Sequence, residues 1–101
     1  MNHFAYRLVP PRPSFAADMS EDEQATMGEH ARYWTDRFDR GDVVVFGVVL
    51  EPARAWGLAV VEADDEEAVR ALASDDPAVK TGLCTFEIGV TPDPSVRPRA
   101  S

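Results

Sequence analysis

Only His3 and His30 can exchange a proton near neutral pH without a large perturbation in this 101-residue chain. His3 opens the chain with no obvious partner and reads as an exposed side chain. His30 follows Met27 by three residues and precedes Trp34 by four, which places it at the border of an apolar helical stripe. A histidine so placed is partly buried and needs a hydrogen-bond partner, whether its role is structural or catalytic. Asp75-Asp76-Pro77 offers one. The pattern is ordinary turn chemistry, but a carboxylate there that reached His30 would do more. Bonded to one ring nitrogen, it would fix the tautomer and raise the basicity of the other nitrogen, which could then take a proton from substrate or water.

Other chemistries find less support. One cysteine and two distant histidines give no metal-ligand spacing. Gly41 and Gly47 bracket a strand pattern rather than forming a phosphate loop. Cys84 falls at an inward strand position and reads as a small core residue. Ser14, Ser20 and Ser74 have turn or cap contexts. Trp34 and Trp56 are core candidates, although Trp56, beside Gly57 at a strand start, could also line a pocket.

The elements that must position these residues can be read from periodicity. His3 to Val9 alternates, with Phe4, Tyr6 and Leu8 on one side, and predicts a strand. Ser20 and Glu23 form a capping box, and Met27, Ala31, Trp34 and Phe38 recur at helical spacing. Gly41 is a natural stop, so the helix is predicted from Glu21 to Arg40. Val43 to Leu50 is an eight-residue apolar run rich in β-branched residues, and Trp56 to Val61 is a second strand that pairs with it as a hairpin. Asp64 or Asp65 caps a second helix ending near Ser74, because Pro77 disfavours helical geometry at Asp76. Leu83 to Val90 alternates again, with Cys84, Phe86, Ile88 and Val90 facing in. The order strand, helix, strand, strand, helix, strand predicts an α+β, ferredoxin-like βαββαβ domain, a four-stranded antiparallel sheet with two helices on one face. One layer of helices leaves the other face open, and the doubly apolar run Val43 to Leu50 predicts that a second copy covers it, giving a homodimer. The domain is expected over residues 1–91. The Pro-broken tail 92–101 is expected to be disordered.

Composition bounds the partners. A hydrophobic fraction of 45% suits one globular core, and the formal net charge of −8 argues against nucleic acid. No apolar stretch approaches the roughly 20 residues of a membrane helix. The lone cysteine fits a reducing compartment, hence a cytoplasmic location.

Gly28-Glu29-His30-Ala31-Arg32-Tyr33-Trp34, Gly41 and the strand through Gly47 together resemble the YciI-like (YCII-related) proteins. The resemblance continues through Trp56-Gly57-Leu58-Ala59-Val60-Val61-Glu62, Asp65-Glu66-Glu67-Ala68, Asp76-Pro77-Ala78-Val79 and Gly82, and spans roughly Asn2 to Pro92. Many relatives have Gly-Pro at the end of the second strand, where this chain has Gly47-Val48. The resemblance implies a dimeric α+β barrel and an active-site pair of a first-helix histidine with an aspartate before proline, which here are His30 and Asp76. One branch looks like dehydrochlorinases of chlorinated hydroxyquinols. The resulting expectation is a cofactor-free enzyme, lyase-like or hydrolase-like, with His30 as general acid or base and Asp76 orienting it. Its small organic substrate is expected against Tyr6, Arg7 and Trp56, with Arg7 on any anionic group. The alternative is a non-catalytic dimeric binding or accessory domain in which His30 is structural.

Overall fold

The computed structural model describes residues 2–97. Eight elements follow in order: β1 Asn2–Val9, α1 Phe15–Asp18, α2 Glu21–Arg40, β2 Val43–Leu50, β3 Ala55–Ala63, α3 Glu66–Ser74, α4 Pro77–Lys80 and β4 Thr85–Thr91. The strands form one sheet in the order β2-β3-β1-β4 with every pairing antiparallel. This is the ferredoxin-like arrangement that the sequence predicts. Of the predicted tail, residues 92–97 form neither helix nor strand, and residues 98–101 lie outside the described residues.

Local chemistry sets the boundaries. Ser20 Oγ accepts from the Glu23 amide at 3.1 Å while Glu23 Oε1 accepts from the Ser20 amide at 2.9 Å, so two orphan donors at the start of α2 are satisfied. At its other end Gly41 takes φ 93°, a left-handed turn that a side chain would strain. Asp65 caps α3 by accepting from the Ala68 amide at 2.9 Å.

The core lies between the helices and one face of the sheet. Phe4, Tyr6 and Leu8 from β1, Ala59 and Val61 from β3, Trp34 from α2 and Val69 from α3 form a single buried cluster. The inward stripe of α2 is centred on His30 and Trp34, whereas Ala31 is exposed and Phe38 is 42% exposed. In the single chain, Val45, Val48 and Leu50 of the run Val43 to Leu50 are 46%, 70% and 80% exposed. β2 is an edge strand, so it has one neighbour and its far end is uncovered. The last strand starts at Thr85, with Cys84 buried just before it; Val90 pairs with buried Phe4 and so shares the expected inward face, but it is 61% exposed because among the described residues nothing covers that end. The two single-turn helices α1 and α4 were not predicted, since four residues are too few to show a period.

Candidate functional site

Asp76 is the N-cap of α4: its Oδ1 accepts from the Ala78 amide at 2.9 Å, and Pro77 occupies the first helical position, where no N–H is needed. The cap is wholly buried, at 0% exposure. α2 presents two side chains to it from one face, one turn apart. His30 Nδ1 lies 2.8 Å from Asp76 Oδ2 and 2.9 Å from Oδ1, and Trp34 Nε1 donates to Oδ2 at 2.6 Å. From β1 the Tyr6 hydroxyl donates to Oδ2 at 3.1 Å. A buried carboxylate is thus met by four donors, three from α2 and β1 and one from its own cap in α4, the condition under which a buried charge is tolerated.

The electrostatics follow from this geometry. Burial pushes the Asp76 carboxyl up, but the hydrogen bonds from His30 and Trp34, the His30 charge and the Ala78 amide outweigh it and hold the group below its ordinary value. Asp76 is therefore an anion at neutral pH. An ionised carboxylate can only accept, so Nδ1 of His30 carries a proton and the neutral ring has its lone pair on Nε2. Among the described residues no buried side-chain nitrogen or oxygen lacks a partner, and Nε2 makes no hydrogen bond. Nε2 is therefore not fully buried, and His30 lines a cavity.

That cavity, of about 280 Å³, lies between α2, the 10–19 connection and the sheet. Leu8, Phe15, Met27, Phe46 and Trp56 form much of its wall. Among the described residues His30 and Cys84 are its only titratable lining residues, and burial first, then the Asp76 charge, pushes the Cys84 thiol up to about 11. Cys84 is therefore a protonated thiol at neutral pH and a poor nucleophile.

The sequence candidates sort themselves around this geometry. His30 and Asp76 come together. Trp56 is in the cavity wall, and its indole N–H donates to Glu51 Oε1 at 2.8 Å. The Tyr6 ring lies in the core, 2% exposed, with its hydroxyl on Asp76; burial and the Asp76 charge push that hydroxyl well above its ordinary range. Arg7 is outside the cavity lining, with its guanidinium 4.2 Å from the Trp56 ring centre and 3.9 Å from Glu87. Sequence reasoning missed Trp34 as a donor to Asp76. The signal was its position four residues after His30 on the same helix face.

The YCII-related domain model matches residues 4–90. The chain belongs to this family. Solved structures also resemble this YCII-related protein. The 5-chloro-2-hydroxyhydroquinone dehydrochlorinase of Burkholderia phenoliruptrix AC1100, solved with 2,5-dihydroxybenzoquinone, is 18% identical and superposes with a TM-score of 0.59 over 88% of this chain and 91% of that one. The cofactor-independent oxygenase SnoaB of Streptomyces nogalater is 16% identical, with a TM-score of 0.48 over 97% of each chain. Among curated proteins none matches this chain. The first of these likenesses supports the α+β fold of the YCII-related domain. Among the described residues no cluster of three His, Cys, Asp or Glu side chains could hold a metal ion, and no helix is long and apolar enough to cross a membrane.

Proposed function

We propose that this YCII-related protein is a small enzyme in which His30 performs acid–base chemistry on a small organic molecule held in the adjoining cavity. The observation that carries the proposal is the saturated, buried Asp76 behind His30, which leaves Nε2 as the one basic atom at an apolar cavity. Nε2 takes a proton from the substrate, and Asp76 stabilises the imidazolium that forms. Tyr6 and Trp34 act through Asp76 as positioning residues. Trp56 contributes wall, and Arg7, outside the lining, is left to meet an anionic group only at the surface.

The chemistry is proton transfer and needs no cofactor. A base-promoted elimination suits it: a C–H bond and a bond to a leaving group break, a π bond forms, and the proton and the leaving group depart. The dehydrochlorinase of similar fold carries such a reaction in its name. Hydrolysis through an activated water is the other reaction open to this pair. We further propose that the protein acts as a cytoplasmic homodimer, a location that suits its single buried cysteine.

One observation favours a second reading. Asp76 ties α2, α4 and β1 together, so the same bonds would serve a binding domain in which the pair is structural. The deciding experiment is a screen of small haloorganic and ester substrates with wild-type protein and His30→Ala. Turnover that falls by a factor of about 10² or more in a variant that still folds supports the enzyme. Turnover of a confirmed substrate that His30→Ala leaves intact refutes it.

A further inference from the structure

The cavity walls limit what can enter. Apart from His30, Cys84 and Trp56, every lining side chain is aliphatic, aromatic, a thioether or absent. Among the described residues no lysine, arginine, carboxylate, side-chain amide or hydroxyl lines it. The polar atoms of the three exceptions are nearly all committed: the thiol is protonated at neutral pH, the indole N–H is bonded to Glu51, and His30 Nδ1 is bonded to Asp76. His30 Nε2 is what remains.

The arginines close to this region are directed elsewhere. Arg12 spends its guanidinium on Glu23 at 2.8 and 2.9 Å and on Asp18 at 2.8 Å, and Arg54 donates to Glu51 at 3.1 Å. Among the described residues a carboxylate or phosphate inside the cavity would have no cation to meet except a protonated His30, with the negative Asp76 directly behind it. Desolvating a charge without a partner is unfavourable. A cation fares no better, because both Asp76 oxygens already accept hydrogen bonds and the side chain is wholly buried. A volume of about 280 Å³ lies just below the usual range of ligand pockets, which begins near 300 Å³, and is too small for a nucleotide or coenzyme.

We infer that the cavity selects an uncharged, compact, predominantly apolar molecule carrying one proton donor that meets His30 Nε2, and that it rejects anions of the same shape. This deepens the proposed function and rests on the cavity being the substrate site. It also separates Arg7 from the reacting end of the ligand. The probes for a test are 2-naphthalenemethanol and 2-naphthoate, which share a bicyclic body and differ in charge. Their binding is followed near neutral pH by the NMR signals of the His30 ring and of the Phe15 and Phe46 side chains. The alcohol is expected to shift all three and to bind at least about tenfold more tightly than the carboxylate. Ala31→Trp, an exposed helix position at the cavity wall, is expected to weaken the alcohol by a similar factor without touching Asp76.

Naphthoate binding at His30 as tightly as the alcohol would overturn the inference, as would an alcohol that leaves the His30 ring unmoved. The readout is independent of turnover. If the charge preference holds while His30→Ala keeps full activity on a confirmed substrate, the acid–base reading fails and the ligand class stands. If the preference is lost, the ligand class fails whatever His30→Ala does to turnover.

Discussion

Asp76 carries a negative charge with no access to water, and its tolerance depends on the donors around it. Removing the carboxylate strands His30 Nδ1, Trp34 Nε1, the Tyr6 hydroxyl and the Ala78 amide together. Asp76→Ala is therefore expected to cost roughly 3–5 kcal/mol, the range for breaking a buried charged pair, as read by denaturant unfolding. A loss within experimental error would mean that water replaces the carboxylate at little cost. The pH dependence has a definite sign. The folded carboxyl is held below its ordinary value of 3.8, so it releases its proton more readily folded than unfolded. Its stabilisation is complete above the unfolded value and disappears as pH falls through the lower, folded one. Trp34→Phe removes a donor that favours the ionised form, which raises the folded value and narrows that window. Acid unfolding followed by near-ultraviolet circular dichroism is expected to begin at higher pH in Trp34→Phe than in wild type. An unchanged or lower midpoint would show that the 2.6 Å bond does not hold the charge.

Between α2 and the cavity mouth, the connection from Pro10 to Met19 depends on one side chain. Arg12 forks onto Glu23, the same residue that closes the α2 capping box, and also reaches Asp18. The Arg12 hydrogen bonds lead the causes that lower the Glu23 carboxyl to about 2. Phe15 and Met19 from this connection line the cavity, so Arg12 fastens part of its wall. Arg12→Ala is expected to speed amide exchange across residues 15–18 while the first turn of α2 keeps its protection through Ser20 Oγ. Equal exchange in the two proteins would mean that buried Phe15 alone holds the segment. The long elements were legible in the sequence for physical reasons. The α2 capping box and Gly41 fix both its ends, and alternation fixes the inward face of β1. α1 and α4 were not legible, because a single turn has no period, although Asp76-Pro77 carried the cap and first-turn signature of α4. Nor could the pattern of β2 show that it lies at the sheet edge, because an apolar run looks the same in a central strand and at an edge. The pairing of His30 with Asp76 was reachable from helix position, turn chemistry and family resemblance. The bond from Trp34 was half legible, because Trp34 shares the helix face of His30, whereas alternation in β1 shows that Tyr6 points inward but not that its hydroxyl ends on Asp76.

At the scale of the whole molecule, the unresolved demand is the sheet face turned away from the helices. Strand register sets its rows: Gly47, Leu58, Arg7 and Glu87 stand side by side across all four strands, and Val45, Val60, Ala5 and Gly89 form the next row. The β2–β3 half of this face is apolar, and the charges sit towards β4 and the strand ends. His3–Glu62 and Arg7–Glu87 lie 3.7 and 3.9 Å apart, too long for direct hydrogen bonds. An apolar strip rimmed by loosely paired charges is the composition of an interface core with its polar rim. A two-fold axis through the face would set each strip against its own copy, the self-complementary arrangement of a dimer. Wild-type protein is expected to sediment as a dimer at micromolar concentration. Leu58→Asp places two carboxylates near the middle of such an interface, and like charges there cost several kcal/mol. The variant is expected to sediment as a monomer with an unchanged far-ultraviolet spectrum, since Leu58 faces away from the helical core. A wild-type monomer, or a Leu58→Asp dimer, would remove this face from the assembly. The cavity lies on the opposite side, between helices and sheet, so ligand binding should survive in the monomeric variant. Loss of naphthalenemethanol binding together with the dimer would mean that the partner copy completes the site.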